Sequence, residues 1–283
     1  MPLSKLHHWQ PTADHLHAGA RLLGFIRTLA LPKQPHYLEQ ALRVTPLGVS
    51  TGTLPGGGAV LLDFTNGTFI YEPADGQGDI IPLAGKSQGA LLTTLLELLD
   101  AHDLGGALAS QPGVHIIDRA MAYAKSRSYN PPARSDLAGD KPLDIDTETG
   151  RGYAEALWSV FNGVVRFRAR LLGQMTPVVI WPHHFDLSTL WFLDEPDEHK
   201  PHINLGFAPF SDGFPRPYLY AYAYPYPEPF DPPALPAPAR WHTEGWTGVV
   251  VDYDAIASQD DDPATFVESL CEGIFGALVP LLR

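Results

Sequence analysis

The dipeptide Asn66-Gly67 lies between two short apolar runs, Ala59–Phe64 and Thr68–Tyr71. Asn-Gly between such runs is a strong hairpin signal, because both turn residues are expected to adopt the positive φ of a tight turn. A further apolar run over 42–51 precedes the hairpin. This feature constrains the first part of the chain to an antiparallel meander of about three or four strands.

Helical patterns lie on both sides of this meander. Apolar residues recur at spacings of three and four over 13–31, where Thr12 is the predicted N-cap. A second such pattern over 88–101 forms a leucine stripe and follows Ser87, another N-cap residue. We predict that this second helix covers the sheet.

The stretch 126–150 is rich in Pro, Asp, Ser and Gly and has no periodicity, which is typical of a connection. It divides the chain into the predicted halves 1–125 and 151–283. The remaining predicted elements are a short strand over 113–117, a short helix near 118–126, a helix over 151–172, strands over 203–207, 218–224 and 247–253, and a last helix over 264–281 that starts at Asp262-Pro263.

The predicted fold class is α+β, with two similar halves that each contain an antiparallel β-meander flanked by helices. A short echo accompanies the repeated order, because Gly24-Phe-Ile-Arg27 resembles Gly163-Val-Val-Arg166. An internal duplication is one interpretation of the echo and chance is the other. Each arginine lies in an apolar helix, where a buried guanidinium needs a carboxylate or carbonyl partner.

The composition indicates which binding partners are disfavoured and which cellular compartment to expect. The formal net charge of −13 repels nucleic acid and anionic membranes. No apolar run is expected to reach the length of about 18 residues that a membrane span needs. The single cysteine, Cys271, rules out an intrachain disulfide and favours a cytoplasmic location. Nothing in the composition indicates an oligomeric state.

The segment Thr176–Leu193 concentrates ionisable and aromatic residues in a β-strand pattern. Pro182 predicts a bend between two strands, and alternation beyond it places His184 and Asp186 on one face. A buried Asp186 needs a donor, for which His184, Arg166 and a tyrosine hydroxyl are the candidates. One alternative is a non-haem metal site that uses His184, Asp186 and His242 or His202; the other is an aspartate-oriented histidine that binds a ligand or stabilises the fold.

Four tyrosines alternate with small residues over 218–224, so that their phenol rings share one face. Such a row, which includes Tyr220 and Tyr222, either lines a ligand site or packs in the core with its hydroxyls at a polar rim. The proline-rich loop 225–238 offers a different function, since an extended segment of this kind can bind a protein partner.

A set of residues distributed along nearly the whole chain resembles a bacterial family of uncharacterised proteins that is classed as a domain of unknown function. The resemblance includes a Trp-Pro-x-His-Phe-Asp-Leu signature, here Trp181–Leu187. It implies the same architecture for this chain, marks site positions and names no substrate. Its residues are Leu16-His17, Gly24, Arg27, His36-Tyr37, Val44-Thr45, Gly48, Ser50-Thr51, Asp63-Phe64, Ser128-Tyr129-Asn130, Gly173, Thr176-Pro177-Val178, Phe185-Asp186-Leu187, Tyr220, Tyr222 and Tyr224-Pro225.

Two functional hypotheses follow. The first is a small-molecule-binding protein or enzyme with a cleft lined by His184, Asp186 and the strand tyrosines; the second is an interaction module that uses the loop 225–238. The sequence contains no motif that specifies a reaction, a catalytic residue or a cofactor. The predicted ligand-binding residues are His184, Asp186, His17, Arg27, His36, Tyr220, Tyr222 and Tyr129, of which His17 and His36 rest on the resemblance alone.

Overall fold

The structure is a computed structural model that describes residues 3–226, 231–259 and 262–282. These residues form seven α-helices and two antiparallel sheets, of five and seven strands, which confirms the predicted α+β class. The internal duplication stays a prediction.

The helices and strands have the following bounds. The helices are α1 (Gln10–Ala30), α2 (Gln88–His102), α3 (Ile116–Ser126), α4 (Arg134–Leu137), α5 (Thr147–Arg168), α6 (Tyr253–Ala257) and α7 (Pro263–Leu278). The strands are β1 (Arg43–Thr45), β2 (Gly48–Ser50), β3 (Ala59–Asp63), β4 (Thr68–Glu72), β5 (Asp79–Pro82), β6 (Gln174–Met175), β7 (Val179–Trp181), β8 (Asp186–Phe192), β9 (His202–Ala208), β10 (Tyr218–Tyr224), β11 (Arg240–His242) and β12 (Gly248–Asp252).

The chain forms two compact units. The five-stranded unit consists of Pro11–Ala154 and Trp181–His184, and the seven-stranded unit of Met1–Gln10, Glu155–Ile180 and Phe185–Arg283. The stretch 126–150 lies entirely in the first of these. Its predicted role as the boundary between the two halves stays a prediction.

The five-stranded unit contains a meander in the order β1-β2-β3-β4-β5, which has more strands than the three or four predicted, because β5 lies outside the predicted apolar runs. The hairpin at Asn66-Gly67 is confirmed, because β3 pairs with β4 from Ala59 and Glu72 to Asp63 and Thr68. The turn is longer than predicted, and only Gly67 of the dipeptide has positive φ, at 61°. The Asp63 carboxylate explains the difference, since it accepts the backbone N–H of Thr65 at 2.8 Å and of Asn66 at 3.1 Å.

Helix α2 follows its sequence pattern. Helix α1 begins at Gln10, so the prediction of Thr12 as its N-cap is wrong. Pro11 is tolerated in the first turn of a helix, which allows this earlier start. Gly19 of α1 lies against Leu62 and Phe69 of the sheet, where a Cβ atom would be 3.0 Å from Leu62 Cδ2. Helix α2 begins after Ser87, whose hydroxyl accepts the Ala90 N–H at 3.2 Å, as predicted. The whole leucine stripe of α2 is buried.

The predicted strand over 113–117 is wrong, since these residues form a turn followed by the start of α3. His115 is the N-cap of that helix and its Nδ1 accepts the Ile117 N–H at 3.3 Å. Two isoleucines in a row favour a strand by propensity, but here Ile116 and Ile117 pack as the first buried turn of a helix.

In the seven-stranded unit the main strand order is β11-β12-β10-β9-β8-β6, and β7 pairs with β8. The strand predicted over 218–224 is confirmed, and β6 and β11 were not predicted. Helix α7 packs on β9 and β10. It starts as predicted at Pro263, after the N-cap Asp262. Residues 227–230 of the proline-rich loop lie outside the described part of the chain, so its role as an interaction surface stays a prediction.

The expectation that no apolar run reaches the length of a membrane span is wrong for one segment of the described residues, Pro263–Leu282, which is long and apolar enough by length and composition. It includes α7, whose buried residues Val267, Leu270, Cys271 and Ile274 recur at helical spacing. The core helix of a globular protein meets the same criterion. The cytoplasmic location stays a prediction.

Candidate functional site

Within the five-stranded unit, the turn Trp181–His184 packs against helix α1. The carbonyl oxygens of Pro182 and His183 each lie 3.1 Å from Nε2 of His17. A carbonyl oxygen only accepts, so Nε2 carries the proton and donates to both. Seven residues along the helix, Gly24 leaves space for the Pro182 ring, because a Cβ atom there would lie 2.3 Å from Pro182 Cγ.

His17 holds the turn in its neutral form. Burial of the ring, and then the positive charge of Arg21, lower the pKa of His17 to about 4. At neutral pH the imidazole is therefore an uncharged donor with a fixed tautomer. The structure thus gives this residue a positioning role.

Arg27 is buried near the end of α1, with 8% of its surface exposed. Its guanidinium donates to the Thr51 carbonyl and, at 3.0 Å, to the Leu38 carbonyl. Burial and then the nearby Arg43 lower the pKa of Arg27 to about 10, so it stays charged at neutral pH. The expected carbonyl partners are confirmed, and they tie α1 to the loop after it and to the residue that follows β2.

A cavity of about 760 Å³ lies beside the last turns of α1, and we call it the α1 cavity. Tyr129 lines it directly, and His36 immediately precedes the lining residue Tyr37. The walls are Arg21, Gly24, Phe25, Thr28, Lys33, Gln34, Tyr37, Glu39, Gln40, Ser128, Tyr129, Asn130, Pro131, Pro132, Ala133, Asp136, Leu137, Pro182 and His183.

The segment after α3 lines this cavity. Hydrogen bonds to backbone carbonyls at the end of α1 hold the segment in place. Arg127 donates to the carbonyls of Thr28 at 3.1 Å, Leu29, and Leu31 at 2.8 Å. The Tyr129 hydroxyl donates to the Leu31 carbonyl at 3.2 Å. Carbonyls in the last turn of a helix need such external donors.

Three residues without glycine's freedom adopt the left-handed backbone region around the α1 cavity. Their φ values are 56° for His36, 54° for Tyr37 and 63° for Ser128. Such conformations cost on the order of 1 kcal/mol each and persist where the surrounding structure imposes them. The wall of the cavity is therefore held in one shape at some cost in stability.

Cations, carboxylates and aromatic rings line the α1 cavity. The cations are Arg21 and Lys33, and the Lys33 ammonium lies 5.3 Å from the centre of the Tyr129 ring. The carboxylates are Asp136 and Glu39, and Glu39 is only 1% exposed. Oε2 of Glu39 accepts the Gln34 N–H at 3.0 Å. The cavity therefore offers a ligand charges of both signs and aromatic faces.

The seven-stranded unit contains the other part of the predicted site. The Tyr220 hydroxyl donates to Asp186 Oδ2 at 2.5 Å, so a tyrosine is the partner among the predicted donors. Gly206 on β9 makes this contact possible, because a Cβ atom there would lie 2.5 Å from the Tyr220 hydroxyl. Burial and then the charge of Asp186 raise the pKa of Tyr220 well above its usual value. The phenol therefore stays protonated as a donor.

The other tyrosines of β10 are also engaged within the unit. Tyr218 shares a hydrogen bond of 2.8 Å with Ser211, and the Tyr222 hydroxyl accepts from Asn204 at 2.9 Å. Tyr224 stacks on His202 with the ring centres 5.1 Å apart. The row is thus a hydrogen-bonded aromatic layer, and its role as a ligand wall stays a prediction.

The predicted alternation does not extend to His184. Strand β8 begins at Asp186, and Phe185 before it has a φ of 59°, which no extended strand residue adopts. His184 is instead an exposed residue of the turn Trp181–His184, where its ring lies 4.4 Å from that of His183. The placement of His184 and Asp186 on one strand face is therefore wrong.

The third proposed ligand of a metal site, His242, lies on β11 and contacts the rings of Phe214 at 5.3 Å and Trp246 at 4.8 Å. Across the described part of the chain, no group of three or more His, Cys, Asp or Glu side chains could hold a metal ion. The metal hypothesis has no geometric support among these residues.

Several lining residues were not predicted from the sequence, among them Lys33, Glu39 and Asp136. One sequence signal for these residues is the loop after α1. It contains two prolines, which prevent the helix from continuing, and several polar residues. Loops of this kind often carry binding residues on a rigid scaffold.

Comparison with known proteins shows the family of the chain. No curated protein and no solved structure matches the chain. The sequence model of a family of unknown function, DUF5996, matches residues 1–279. The match spans both units and includes every residue of the α1 cavity and of the tyrosine row. The chain therefore belongs to the DUF5996 family of unknown function.

Proposed function

We propose that the protein binds a small organic molecule in the α1 cavity. The observation that carries this proposal is the set of three left-handed residues, His36, Tyr37 and Ser128, around a cavity of about 760 Å³. The volume is in the range of small-molecule sites, about 300–1,000 Å³. Strained backbone of this kind clusters at sites of function, since folding alone does not reward it.

The lining residues favour a ligand with both a flat apolar part and charged or polar groups. Phe25, Tyr37 and Tyr129 supply aromatic surface, and Lys33 and Glu39 supply opposite charges. Because cations and carboxylates occur in equal number, a ligand with groups of both signs matches the cavity better than a strongly charged one. The proposal concerns binding and includes no reaction.

The test starts with a thermal-shift screen of small metabolites, followed by calorimetry of the compounds that stabilise the protein. The informative variant is Tyr37→Gly, because Tyr37 is 61% exposed and glycine adopts its φ without strain. We expect unfolding free energy within about 1 kcal/mol of the parent and loss of ligand binding.

His8→Gly is the matched control. His8 is exposed, has a φ of 57° and does not line the α1 cavity. It should behave like Tyr37→Gly in stability while keeping full ligand affinity. A ligand that binds the parent and Tyr37→Gly equally well would place its site elsewhere and refute the proposal.

A further inference from the structure

A second cleft, of about 950 Å³, lies within the seven-stranded unit beside β11, and we call it the aromatic cleft. Phe214, Tyr218, His242 and Trp246 line it with their rings. It shares no residue with the α1 cavity. The function proposed above therefore does not account for it.

The rings of the aromatic cleft form a continuous series of contacts. Tyr218 stacks on Phe214 at 4.3 Å, Phe214 meets His242 at 5.3 Å, and His242 meets Trp246 at 4.8 Å between ring centres. The last two pairs have interplanar angles of 65° and 46°. The ring faces therefore point in different directions, as in the walls of an aromatic cage.

The position of Trp246 depends on Gly248 at the start of β12. A Cβ atom at Gly248 would lie 2.3 Å from Cζ3 of the indole, so only glycine allows the ring to lie over the strand. The Tyr222 ring supports Trp246 from the side, at 6.5 Å and an angle of 72°. The cleft is thus preorganised by a glycine and a second aromatic residue.

The charges at the cleft favour a cation. The Arg240 guanidinium already lies over the Phe214 ring at 5.8 Å, which shows that this aromatic face attracts positive charge. Arg240 is paired with Asp252 at 3.0 Å, so its charge is compensated. Asp212 and Glu244 also line the cleft, and neither forms an ion pair with any residue in the described ranges. Two uncompensated carboxylates remain beside the rings.

We propose that the aromatic cleft binds an organic cation of the quaternary ammonium or alkylated amine class. The ring faces contact the alkyl groups and stabilise the charge through their quadrupoles, and Glu244 and Asp212 add electrostatic attraction. A bare metal ion is not the expected occupant, because no group of three or more His, Cys, Asp or Glu side chains in the described part of the chain could hold one. The rings of Phe214 and Trp246 add no lone pair to ligate it.

The experiment compares choline with 3,3-dimethyl-1-butanol, a neutral molecule of the same shape, by calorimetry on the full chain. We expect choline to bind at least about tenfold more tightly, because the cation–π and carboxylate interactions need the charge. Equal binding of the two compounds would mean an apolar pocket without cation preference and would overturn the proposal. No binding of choline would also overturn it.

Two charge variants give opposite expected results. Glu244→Gln should weaken choline binding by about threefold, and Arg240→Gln should strengthen it by a similar factor, since it removes a competing cation from Phe214. Glu195→Gln, at an exposed residue of the same unit outside the cleft, should change nothing. A loss of choline affinity in Arg240→Gln would show that Arg240 does not compete with the ligand for the Phe214 ring and would refute the proposal. Neither variant changes a ring of the cleft, and thermal unfolding of both variants checks that the fold is intact.

Discussion

Helices α1 and α5 carry the same sequence pattern, Gly24-Phe-Ile-Arg27 and Gly163-Val-Val-Arg166, and use it differently. Both glycines allow close packing, since a Cβ atom would lie 2.3 Å from Pro182 in the first case and 2.6 Å from the Ala264 carbonyl in the second. The arginines diverge. Arg27 is buried against backbone carbonyls, and Arg166 is exposed and pairs with Asp262 at 2.9 Å.

The difference shows which residue of the pattern has an effect that does not depend on the surrounding fold. Glycine has the same consequence in both helices because it only has to be small. An arginine side chain reaches far, so its environment depends on what the fold places around it. The expectation that both arginines are buried is wrong for Arg166, because α5 presents it at the N-terminus of α7, where it also contacts the Thr265 hydroxyl.

The largest expected contrast is between Arg27→Met and Arg166→Met. Arg27→Met should destabilise the protein by about 3–5 kcal/mol, because the Leu38 and Thr51 carbonyls lose their donor and the buried Glu39 loses a neighbouring cation. Arg166→Met breaks an exposed ion pair and should cost less than about 1 kcal/mol. Chemical denaturation measures both. Equal losses would show that the two arginines are equivalent after all.

The glycines should behave alike in stability and differ in what they disturb. Gly24→Ala and Gly163→Ala should each cost about 2–3 kcal/mol, since the added methyl group overlaps a ring or a backbone oxygen that cannot move freely. Only Gly24→Ala should increase hydrogen exchange in the turn Trp181–His184, which mass spectrometry can follow. Unchanged exchange in that turn would mean that Gly24 does not position it.

The unit that exposes Arg166 contains a different charge, Asp186, which is half-buried. Asp186→Asn keeps the shape and weakens the bond from Tyr220, so we expect a loss of about 1–3 kcal/mol. The matched control is Asp194→Asn at an exposed position two residues beyond β8, which should change the free energy by less than about 0.5 kcal/mol. If Asp186→Asn is as stable as the parent or more so, the carboxylate is kept for ligand binding and does not stabilise the fold.

The smallest expected effect concerns His17. Helix α5 has Ala156 at the corresponding position, seven residues before Gly163. Its pKa is lowered to about 4 in the folded protein, so only the unfolded chain binds a proton between pH 6.5 and 4. The contribution of His17 to the free energy of unfolding is therefore complete above pH 6.5 and decreases as the pH falls toward 4. Because the ring is partly exposed, we expect a loss of about 1 kcal/mol.

Denaturation of the parent and of His17→Gln at pH 7, 5.5 and 4.5 tests this expectation. Glutamine keeps an N–H donor and does not titrate, so the variant should lose less stability than the parent over this range. Parallel curves for the two proteins would show that His17 does not contribute to the acid response. Other titrating groups affect both curves equally.

Much of the fold follows from local signals. Ser87 and Asp262 cap the helices that they were expected to cap, and the leucine stripe of α2 and the Asn66-Gly67 hairpin lie where the pattern puts them. These features depend on residues within one or two turns, so their physical cause is contained in the sequence. The donor for Asp186 was also predicted, as a tyrosine hydroxyl, because a buried carboxylate requires one.

The sequence by itself thus determined the fold class, the starts of α2 and α7, an antiparallel meander and the tyrosine face, since periodicity and capping act over a few residues. Only the tertiary structure decided that Phe185 leaves the strand and removes His184 from it. It also decided that Glu39, Lys33 and Tyr129 meet in one cavity. The cavity joins residues of the loop after α1 to residues about ninety positions later in the chain. The energies of such contacts depend on packing that no local pattern encodes.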